Sequence, residues 1–227
     1  MLIDCGESVS RSYKASGLSY ETVDRIFLSH LHADHFAGFF MLLQSFWLEG
    51  RQKDLPVHVS ADGINPLRQM LNAAYMFEEL LNFRLRFEPL RPGKPVQTGN
   101  VRVTPFPTSH LEQIRAAFRR KYRQAFISYC FLLETDRLRI GHSADIGKPE
   151  DLAPLLRQPL DLLVCELAHF KPRELFSYLQ GRDIKRIVLV HLPHRHWENL
   201  KETRRLATRM LQHVCVTFAR DGQEIIL

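Results

Sequence analysis

Apolar residues along the chain follow two periods. Short runs that are almost wholly apolar predict buried β-strands, and longer segments with apolar residues three or four apart predict amphipathic helices. Strands are expected near 2–4, 25–29, 56–60, 84–88, 101–105, 126–133, 137–141, 161–165, 186–190 and 214–218. Helices are expected near 36–49, 64–81, 111–123, 150–157, 172–180 and 197–212. Such a mixture predicts the α/β class, with sheets covered by helices.

The segment 65–82 predicts a core-facing amphipathic helix. Its apolar residues at helical spacing are Leu67, Met70, Leu71, Ala74, Phe77 and Leu81. The methionine and the aromatic residue are therefore interpreted as packing groups and not as a cofactor site.

The most polar feature lies between a predicted strand and a predicted helix. The run His30-Leu31-His32-Ala33-Asp34-His35 places three imidazoles and one carboxylate within six positions. These are the ligand types that zinc and related ions prefer. The run offers four ligand side chains, which is more than one catalytic ion binds from a local motif. A second metal is therefore predicted. The alternative, a solvated polar turn, is disfavoured because burying this density without a cation is costly.

The run resembles the His-X-His-X-Asp-His signature of the metallo-β-lactamase fold, and further motifs follow that family's pattern. They are Ile3-Asp4-Cys5-Gly6, Thr108-Ser109-His110, Ser143-Ala144-Asp145 and Val188-Leu189-Val190-His191. The resemblance spans residues 2–192 and implies a four-layer αβ/βα sandwich. That family usually has two strands before the Ile3-Asp4 element, and the resemblance implies that this sequence lacks them. Either the start is internal to a longer gene product, or a partner chain completes the sheet, or an edge is left open. An open sheet edge there would invite association, which makes a homodimer a hypothesis.

The resemblance also implies the metal ligands. One ion would be held by His30, His32 and His110, and a second by Asp34, His35 and His191, with Asp145 and a water bridging the pair. The cofactors would be two divalent ions, with zinc expected and manganese or iron as alternatives. The pair would lower the pKa of the shared water, giving a bridging hydroxide as nucleophile. Asp34 would accept a proton from it, and Asp4 would support the site.

Within the superfamily, the sequence is similar to the ribonuclease Z-like branch of phosphodiesterases. Asp145 stands where true β-lactamases have Cys. The segment Val164-Cys165-Glu166-Leu167-Ala168-His169-Phe170 resembles that branch's His-Glu-Ala-Thr-Phe loop, with Cys165 in place of its His. Glu166 therefore carries over as a catalytic residue, whereas tRNA processing is put in doubt. His169 is a candidate proton donor to the leaving group. The alternative is a structural His, either satisfied on the surface or hydrogen-bonded behind the metal ligands.

The segment 111–124 follows a predicted ligand and contains five basic residues. They are Arg115, Arg119, Arg120, Lys121 and Arg123. Only thirty-four residues separate His110 from Asp145, which leaves no room for the long tRNA-gripping arm of many relatives. The segment is either a basic strip that attracts phosphates or an ordinary solvated helix face. The patch Arg182, Lys185 and Arg186 and the patch Lys201, Arg204 and Arg205 are interpreted as solvated faces.

Composition sets wider limits. With 227 residues and 45% hydrophobic content, a single domain over 1–227 is expected. The net charge of +6 favours an anionic substrate, such as RNA or a nucleotide. Four cysteines without paired spacing suggest reduced thiols and a cytoplasmic location. Neither a membrane-spanning run nor a signal-type start is visible, so no membrane partner is expected.

Three functions are compatible with these patterns. The first is a dinuclear phosphodiesterase acting on nucleic acid or nucleotide. The second is a lactonase or thioesterase, whose apolar pocket could be lined by Phe36, Phe39, Phe40 and Trp197, although core packing also explains the phenylalanines. The third is a non-catalytic binding module, which would not need a complete ligand set. His194 and His196 either contact substrate or belong to a surface loop.

Overall fold

The computed structural model describes all residues from 1 to 227 as two compact units, Met1–Arg91 and Pro92–Leu227. Each unit has its own sheet and its own hydrophobic core. A single domain over 1–227 and a homodimer stay predictions. The dimer is tested by whether the mass in solution changes with protein concentration.

The first unit contains a parallel four-stranded sheet in the order β1-β2-β3-β4. The strands are β1 (Leu2–Ile3), β2 (Ile26–Phe27), β3 (Leu55–Val59) and β4 (Leu85–Pro89). The helices are α1 (Val9–Ala15), α2 (Ala33–Phe36), α3 (Phe39–Leu48) and α4 (Ile64–Ala73). Every pair of adjacent strands is parallel, which requires the helix-containing connections between them.

The core of the first unit is built by α3 and α4 with the strands. Helix α3 buries one face through residues at helical spacing, namely Phe39, Leu42, Leu43 and Phe46. Helix α4 buries Leu67 and Leu71, whereas Met70 is 44% exposed.

The prediction that the second helix runs to residue 81 was wrong. Tyr75 adopts a left-handed conformation with φ of 57°, and the Met76 N–H donates to the Leu71 carbonyl at 2.9 Å. This Schellman-type closure satisfies the last carbonyls and stops the helix at Ala73, although apolar spacing continues beyond it.

A close backbone approach fixes the turn that carries the histidine run. Gly38 separates α2 from α3, and its N–H donates to the Cys5 carbonyl at 3.0 Å. A Cβ at Gly38 would lie 1.8 Å from the Gly6 carbonyl oxygen and 2.9 Å from the Val9 Cγ1. Because the opposing group is backbone, no rotamer change could make room.

We therefore expect Gly38→Ala to destabilise the protein by about 3 kcal/mol, since overpacking against backbone forces a backbone shift. Thermal unfolding followed by circular dichroism would show a melting temperature lower by about 9 °C. Gly50→Ala is the control: its Cβ meets nothing within 4 Å, and only its φ of 76° opposes a side chain. That variant should lose about 1 kcal/mol. Equal losses in both variants would contradict the close-approach argument.

The second unit contains a mixed seven-stranded sheet in the order β11-β10-β9-β8-β7-β6-β5. The strands are β5 (Val96–Thr98), β6 (Val101–Thr108), β7 (Ser128–Glu134), β8 (Arg139–His142), β9 (Leu160–Glu166), β10 (Ile184–Val190) and β11 (Cys215–Phe218). The helices are α5 (Glu112–Phe118), α6 (Pro172–Leu179), α7 (His194–Glu198) and α8 (Leu200–Met210). Strands β5 to β8 pair antiparallel, and β8 to β11 pair parallel.

Two elements were missed by the apolar pattern, and one predicted helix was wrong. Helix α1 has one buried residue, Tyr13, and β5 is only three residues long, so neither leaves a periodic signal. The segment 150–157 forms two 3₁₀ turns, Pro149–Leu152 and Leu155–Arg157, in place of an α-helix. Leu152 and Leu155 are buried, but a proline and the short length favour 3₁₀ turns.

All four cysteine thiols are free, as the unpaired spacing predicted. No helix in either unit combines the length and the apolar character needed to cross a bilayer.

Candidate metal centre

The first unit positions the histidine run at the end of β2. Beyond β2 the backbone stays paired with β3 as far as Leu28, whose N–H donates to the His58 carbonyl at 2.8 Å. The chain then turns. His32 precedes the first residue of α2, so Asp34 and His35 lie in the first turn of that helix. His30 and His35 are almost fully buried, and the Asp34 side chain is exposed.

Asp4 organises this cluster from the end of β1. One carboxylate oxygen accepts from the Ser29 N–H at 2.7 Å, and the other accepts from the Ser29 hydroxyl and from His35 Nδ1, each at 2.7 Å. Asp4 itself has φ of 61°, a strained conformation for a non-glycine residue. Asp4 thus supports the site through hydrogen bonds, as the sequence predicted.

These hydrogen bonds select the tautomers of two histidines. Because the Ser29 hydroxyl hydrogen is used toward Asp4, the His30 Nδ1 at 3.0 Å from this hydroxyl must be the donor. His35 Nδ1 likewise donates to the Asp4 carboxylate. In both rings the lone pair then resides on Nε2, the arrangement found in metal-binding histidines held by an outer carboxylate or hydroxyl. The donor set of the first unit therefore fits a divalent metal.

The ring positions agree with that fit. The centroid of the His30 ring lies 4.7 Å from that of His32 and 4.2 Å from that of His35. His35 Nε2 and the Asp34 Oδ2 are 3.7 Å apart. All four residues of the predicted run are thus gathered at one place in the first unit.

In the second unit, four strand ends supply polar residues at one edge of the sheet. Strands β6, β8, β9 and β10 point the same way, because β6 and β8 are both antiparallel to β7. The residues at or after their carboxyl ends are His110, Asp145, Glu166 and His191. The sheet topology therefore brings together three predicted ligands that are distant in sequence.

Asp145 lies at the centre of this second cluster and is 2% exposed. Its Oδ2 is 3.6 Å from His110 Nε2, 3.8 Å from His169 Nε2 and 3.8 Å from His191 Nε2. These separations exceed hydrogen-bond length and are close to the ~3.3 Å between ligand atoms around a tetrahedral ion with bonds of about 2.0 Å. The imidazole nitrogens of the two predicted ligands, His110 and His191, beside one carboxylate oxygen suit a shared cation.

Backbone strain occurs at the same positions. Ala144 has φ of 44° and His191 has φ of 51°, both left-handed without being glycine. Together with Asp4, three of the five non-glycine residues with positive φ belong to, or directly precede, predicted site residues. Strain of this kind persists where surrounding bonds over-determine the backbone, and it clusters at functional sites.

Glu166 joins the loop after β8 to the loop after β9. It is fully buried, and Oε1 accepts from the Ile146 N–H at 2.7 Å, while Oε2 accepts from the Ala168 N–H at 3.0 Å. His169 Nδ1 lies 2.7 Å from Oε2, so this carboxylate fixes the ring and directs Nε2 toward Asp145. The role of His169, as a proton donor or as a structural histidine hydrogen-bonded by Glu166, stays a prediction.

Cys165, which stands in place of the branch's leading His, is fully buried. Burial, and then the nearby Glu166 carboxylate, raise the pKa of its thiol far above the usual range. The thiol therefore stays protonated and takes no part in acid–base chemistry near neutral pH.

Asp151 is a supporting residue that the sequence analysis missed. Its Oδ2 accepts from the Ser109 N–H at 2.9 Å, the Ser109 hydroxyl at 2.8 Å and the Gly147 N–H at 2.9 Å. These bonds hold together the loops that carry His110 and Asp145. No residue pattern marked Asp151 in the sequence, because its donors belong to the loops after β6 and β8 and not to its own turn.

The remaining candidates make contacts of other kinds. Phe39 is buried, and Phe36 and Phe40 pack against the same core, so these rings are packing groups of the first unit. His194 forms an exposed ion pair with Glu198 at 3.3 Å. Helix α5 buries no residue and ends at Phe118, five residues earlier than predicted.

These two clusters and their sheets place the chain in a recognised class. The family model described as the β-lactamase superfamily domain matches residues 1–214, so the chain belongs to that superfamily. The predicted α/β fold class, the metallo-β-lactamase fold, is thereby confirmed.

Curated relatives point to one branch. The chain is 32% identical over 114 residues to a ribonuclease Z of Archaeoglobus fulgidus, covering 49% of this chain and 35% of the relative. It is 33% identical over 127 residues to a ribonuclease Z of Methanothermobacter thermautotrophicus, covering 56% and 40%. The matches thus span well under half the length of these relatives. They support the predicted similarity to the ribonuclease Z-like branch.

Solved structures share the fold at lower identity. The metallo-β-lactamase fold protein YhfI of Bacillus subtilis superposes with a TM-score of 0.74 at 20% identity, covering 98% of this chain and 85% of that one. The short form of human tRNase Z superposes with a TM-score of 0.68 at 18% identity, covering 97% and 85%.

Proposed function

We propose that the protein is a metal-dependent phosphodiesterase acting on nucleic acid or nucleotide. The observation that carries the proposal is Asp145, a buried carboxylate with three imidazole nitrogens within 3.8 Å of one oxygen. The Asp4-supported histidine cluster of the first unit would provide the other ligands. Similarity to proteins named ribonuclease Z supports the phosphodiester class of substrate.

The proposed ligand assignment follows the predicted motifs. His30, His32 and His110 would hold one divalent ion, Asp34, His35 and His191 a second, and Asp145 would serve both. Zinc suits this imidazole-rich set, and manganese or iron are alternatives. When bound, such a pair supplies Lewis acidity, an acidified water and neutralisation of charge on the attacked phosphate.

The protein groups have distinct tasks in this proposal. Asp34, with its exposed side chain in the first turn of α2, would accept the proton of the attacking water. His169 would donate a proton from Nε2 to the leaving oxygen. Glu166, bonded to His169 Nδ1, would orient that ring and stabilise its protonated form, as a carboxylate does behind a general-acid histidine.

The charge of the chain supports an anionic substrate. The net charge is +6, and the segment after His110 carries five basic residues on a helix and turn that bury none of them. An acyl hydrolase would require an apolar pocket, but the candidate phenylalanines of the first unit are used in packing. The phosphodiesterase is therefore favoured over the lactonase or thioesterase.

The test is hydrolysis of bis(p-nitrophenyl) phosphate beside a lactone, a thioester and a β-lactam. Each assay is run with chelated protein and after adding back zinc, manganese or iron. The proposal expects metal-restored turnover of the phosphodiester and, subsequently, of short RNA. Turnover confined to an acyl substrate would overturn it in favour of the second function. No turnover of any substrate by metal-loaded protein would favour the binding module.

A further inference from the structure

A basic cleft lies in the second unit beside the loops that carry His169 and His191. Its volume is about 570 Å³, within the range of sites that take a small ligand. Four exposed basic residues line it, two at the beginning of α6 and two on α8. They are Lys171, Arg173, Arg205 and Arg209. Glu202 is the only acidic residue of the lining, so the cleft is strongly positive.

The four cations have no anionic partner in the protein. None of them forms an ion pair or a side-chain hydrogen bond, whereas two other basic residues of the unit are paired. Lys185 contacts Asp161 at 2.7 Å, and Arg102 contacts Glu134 at 3.0 Å. Four unpaired like charges around one concave surface repel one another, so an anion that neutralises them would bind favourably.

His196 adds a second observation that points to a ligand. The residue lines the cleft, and its buried Nε2 has no hydrogen-bond partner in the protein. Burial, and then the neighbouring Arg195, lower the pKa of His196, so the ring is neutral at pH 7. A neutral imidazole can donate one hydrogen bond to a phosphate or a ribose hydroxyl without adding charge.

The cleft is tied to the candidate centre by two short connections. Lys171 follows His169 by two residues, which at about 3.5 Å per residue spans no more than about 7 Å. His196 follows His191 by five residues. The Arg195 guanidinium also donates to the Ala168 carbonyl at 3.2 Å, which joins the two loops. A substrate strand at His169 would therefore reach the cleft within a short distance.

We propose that this cleft binds a backbone phosphate of a polynucleotide at a position away from the bond that is cleaved. The proposal rests on the proposed function for its substrate class. Arg and Lys side chains at the mouth contact phosphate oxygens, and the site contributes affinity without base readout. The sequence alone gave no such signal, because Lys171 and Arg173 are far from Arg205 and Arg209 along the chain.

The test compares two double variants with matched loss of charge. Arg173→Gln/Arg209→Gln removes two cleft cations, and Arg157→Gln/Lys201→Gln removes two exposed cations outside the cleft, one of them on the same helix. Binding of a fluorescent single-stranded ten-nucleotide RNA to metal-free protein is measured by anisotropy over a range of salt concentrations. Unchanged melting temperatures verify that both variants fold.

We expect the cleft variant to bind about tenfold more weakly and the control variant to bind nearly as the wild type does. The slope of log K against log salt should fall by roughly 0.7 in the cleft variant, the contribution of one single-strand phosphate contact. In steady state, KM for RNA should rise while kcat and the hydrolysis of bis(p-nitrophenyl) phosphate stay constant. Equal weakening in both variants would overturn the proposal.

Competition identifies the source of the phosphate. Uridine monophosphate and inorganic phosphate should displace the RNA only at far higher concentration than unlabelled RNA does. Displacement by either at similar concentration, or by polyglutamate with the same dependence on Arg173 and Arg209, would overturn the polynucleotide assignment. Selective loss of RNA binding in a protein that hydrolyses no phosphodiester would leave the cleft in place and reject the proposed function. Phosphodiester turnover with equal RNA binding in all variants would reject the cleft and leave the proposed function in place.

Discussion

Replacing Asp145 by alanine should abolish metal-dependent phosphodiester hydrolysis, with a loss of at least about 10³-fold in kcat/KM. The reason is geometric: one Asp145 oxygen lies within 3.8 Å of His110, His169 and His191. Removing the carboxylate removes the only anion at the centre of three imidazoles, and with it the ligand proposed to serve both ions. Loss of a residue that merely orients a ligand typically costs 10- to 100-fold, so the expected effect exceeds that of a supporting residue.

The fold should survive this change. Asp145 is held by its backbone, whose carbonyl accepts from the Thr108 hydroxyl at 2.9 Å, and that bond does not involve the carboxylate. Circular dichroism and melting temperature are therefore expected to stay near those of the wild type. Bound zinc, measured by atomic absorption after dialysis, should fall together with activity.

Asp136→Ala is the matched control, because it makes the same chemical change at an exposed turn between β7 and β8. It should retain full activity and full metal content. Near-normal turnover by Asp145→Ala would show that the ligand assignment is wrong. A loss of activity without a loss of metal would indicate that Asp145 acts as an acid–base group and not as a metal ligand.

The candidate ligands were predicted through the resemblance to the metallo-β-lactamase fold, whose motifs place each of them after a strand. His110, Asp145 and His191 follow apolar runs, and parallel strand ends meet at one edge of a sheet. The residues of the histidine run are neighbours in sequence, so recognising them requires no knowledge of the sheet topology. Each motif is defined by residue types at fixed positions, and a single sequence contains that information.

The supporting residues could not be predicted in the same way. Asp151 acts through backbone N–H groups of Ser109 and Gly147, and nothing in the residue types marks which carboxylate will receive them. Helix ends were misjudged for a similar reason. The chain leaves α4 at Tyr75 through a left-handed residue, although the apolar period continues to Leu81. Backbone geometry decides both outcomes, and the hydrophobic pattern does not report it.

Arg51 provides the largest expected effect on stability. This arginine follows α3 and is 1% exposed, although arginine is almost never fully buried without partners. Its guanidinium donates to three backbone carbonyls, with distances of 2.8 Å to Val23 and 3.1 Å to Asp54 and a short bond to Tyr20. The guanidinium carbon also lies 5.1 Å from the Phe46 ring centroid. Arg51 thus joins the turn around residues 20–23 to the loop between α3 and β3.

We expect Arg51→Met to lower the free energy of unfolding by about 4 kcal/mol, since each buried carbonyl left without a donor costs about 1–3 kcal/mol. For a chain of this size the melting temperature should fall by about 10 °C, measured by circular dichroism or differential scanning calorimetry. Arg86→Met, an exposed residue on β4, is the control and should change the melting temperature little. Arg51→Lys should be intermediate, because an ammonium group cannot reach all three acceptors in fork geometry.

Burial of a charge does not by itself predict this loss. Replacing a buried ion pair by apolar residues is often neutral or stabilising, because both charged partners are removed together. Here the acceptors are the carbonyls of Tyr20, Val23 and Asp54, which no side-chain substitution can remove. Methionine fills much of the volume and restores the contact with Phe46, so the remaining loss reports the orphaned carbonyls alone. An Arg51→Met protein that melts within a degree or two of the wild type would mean that water replaces the guanidinium at all three positions.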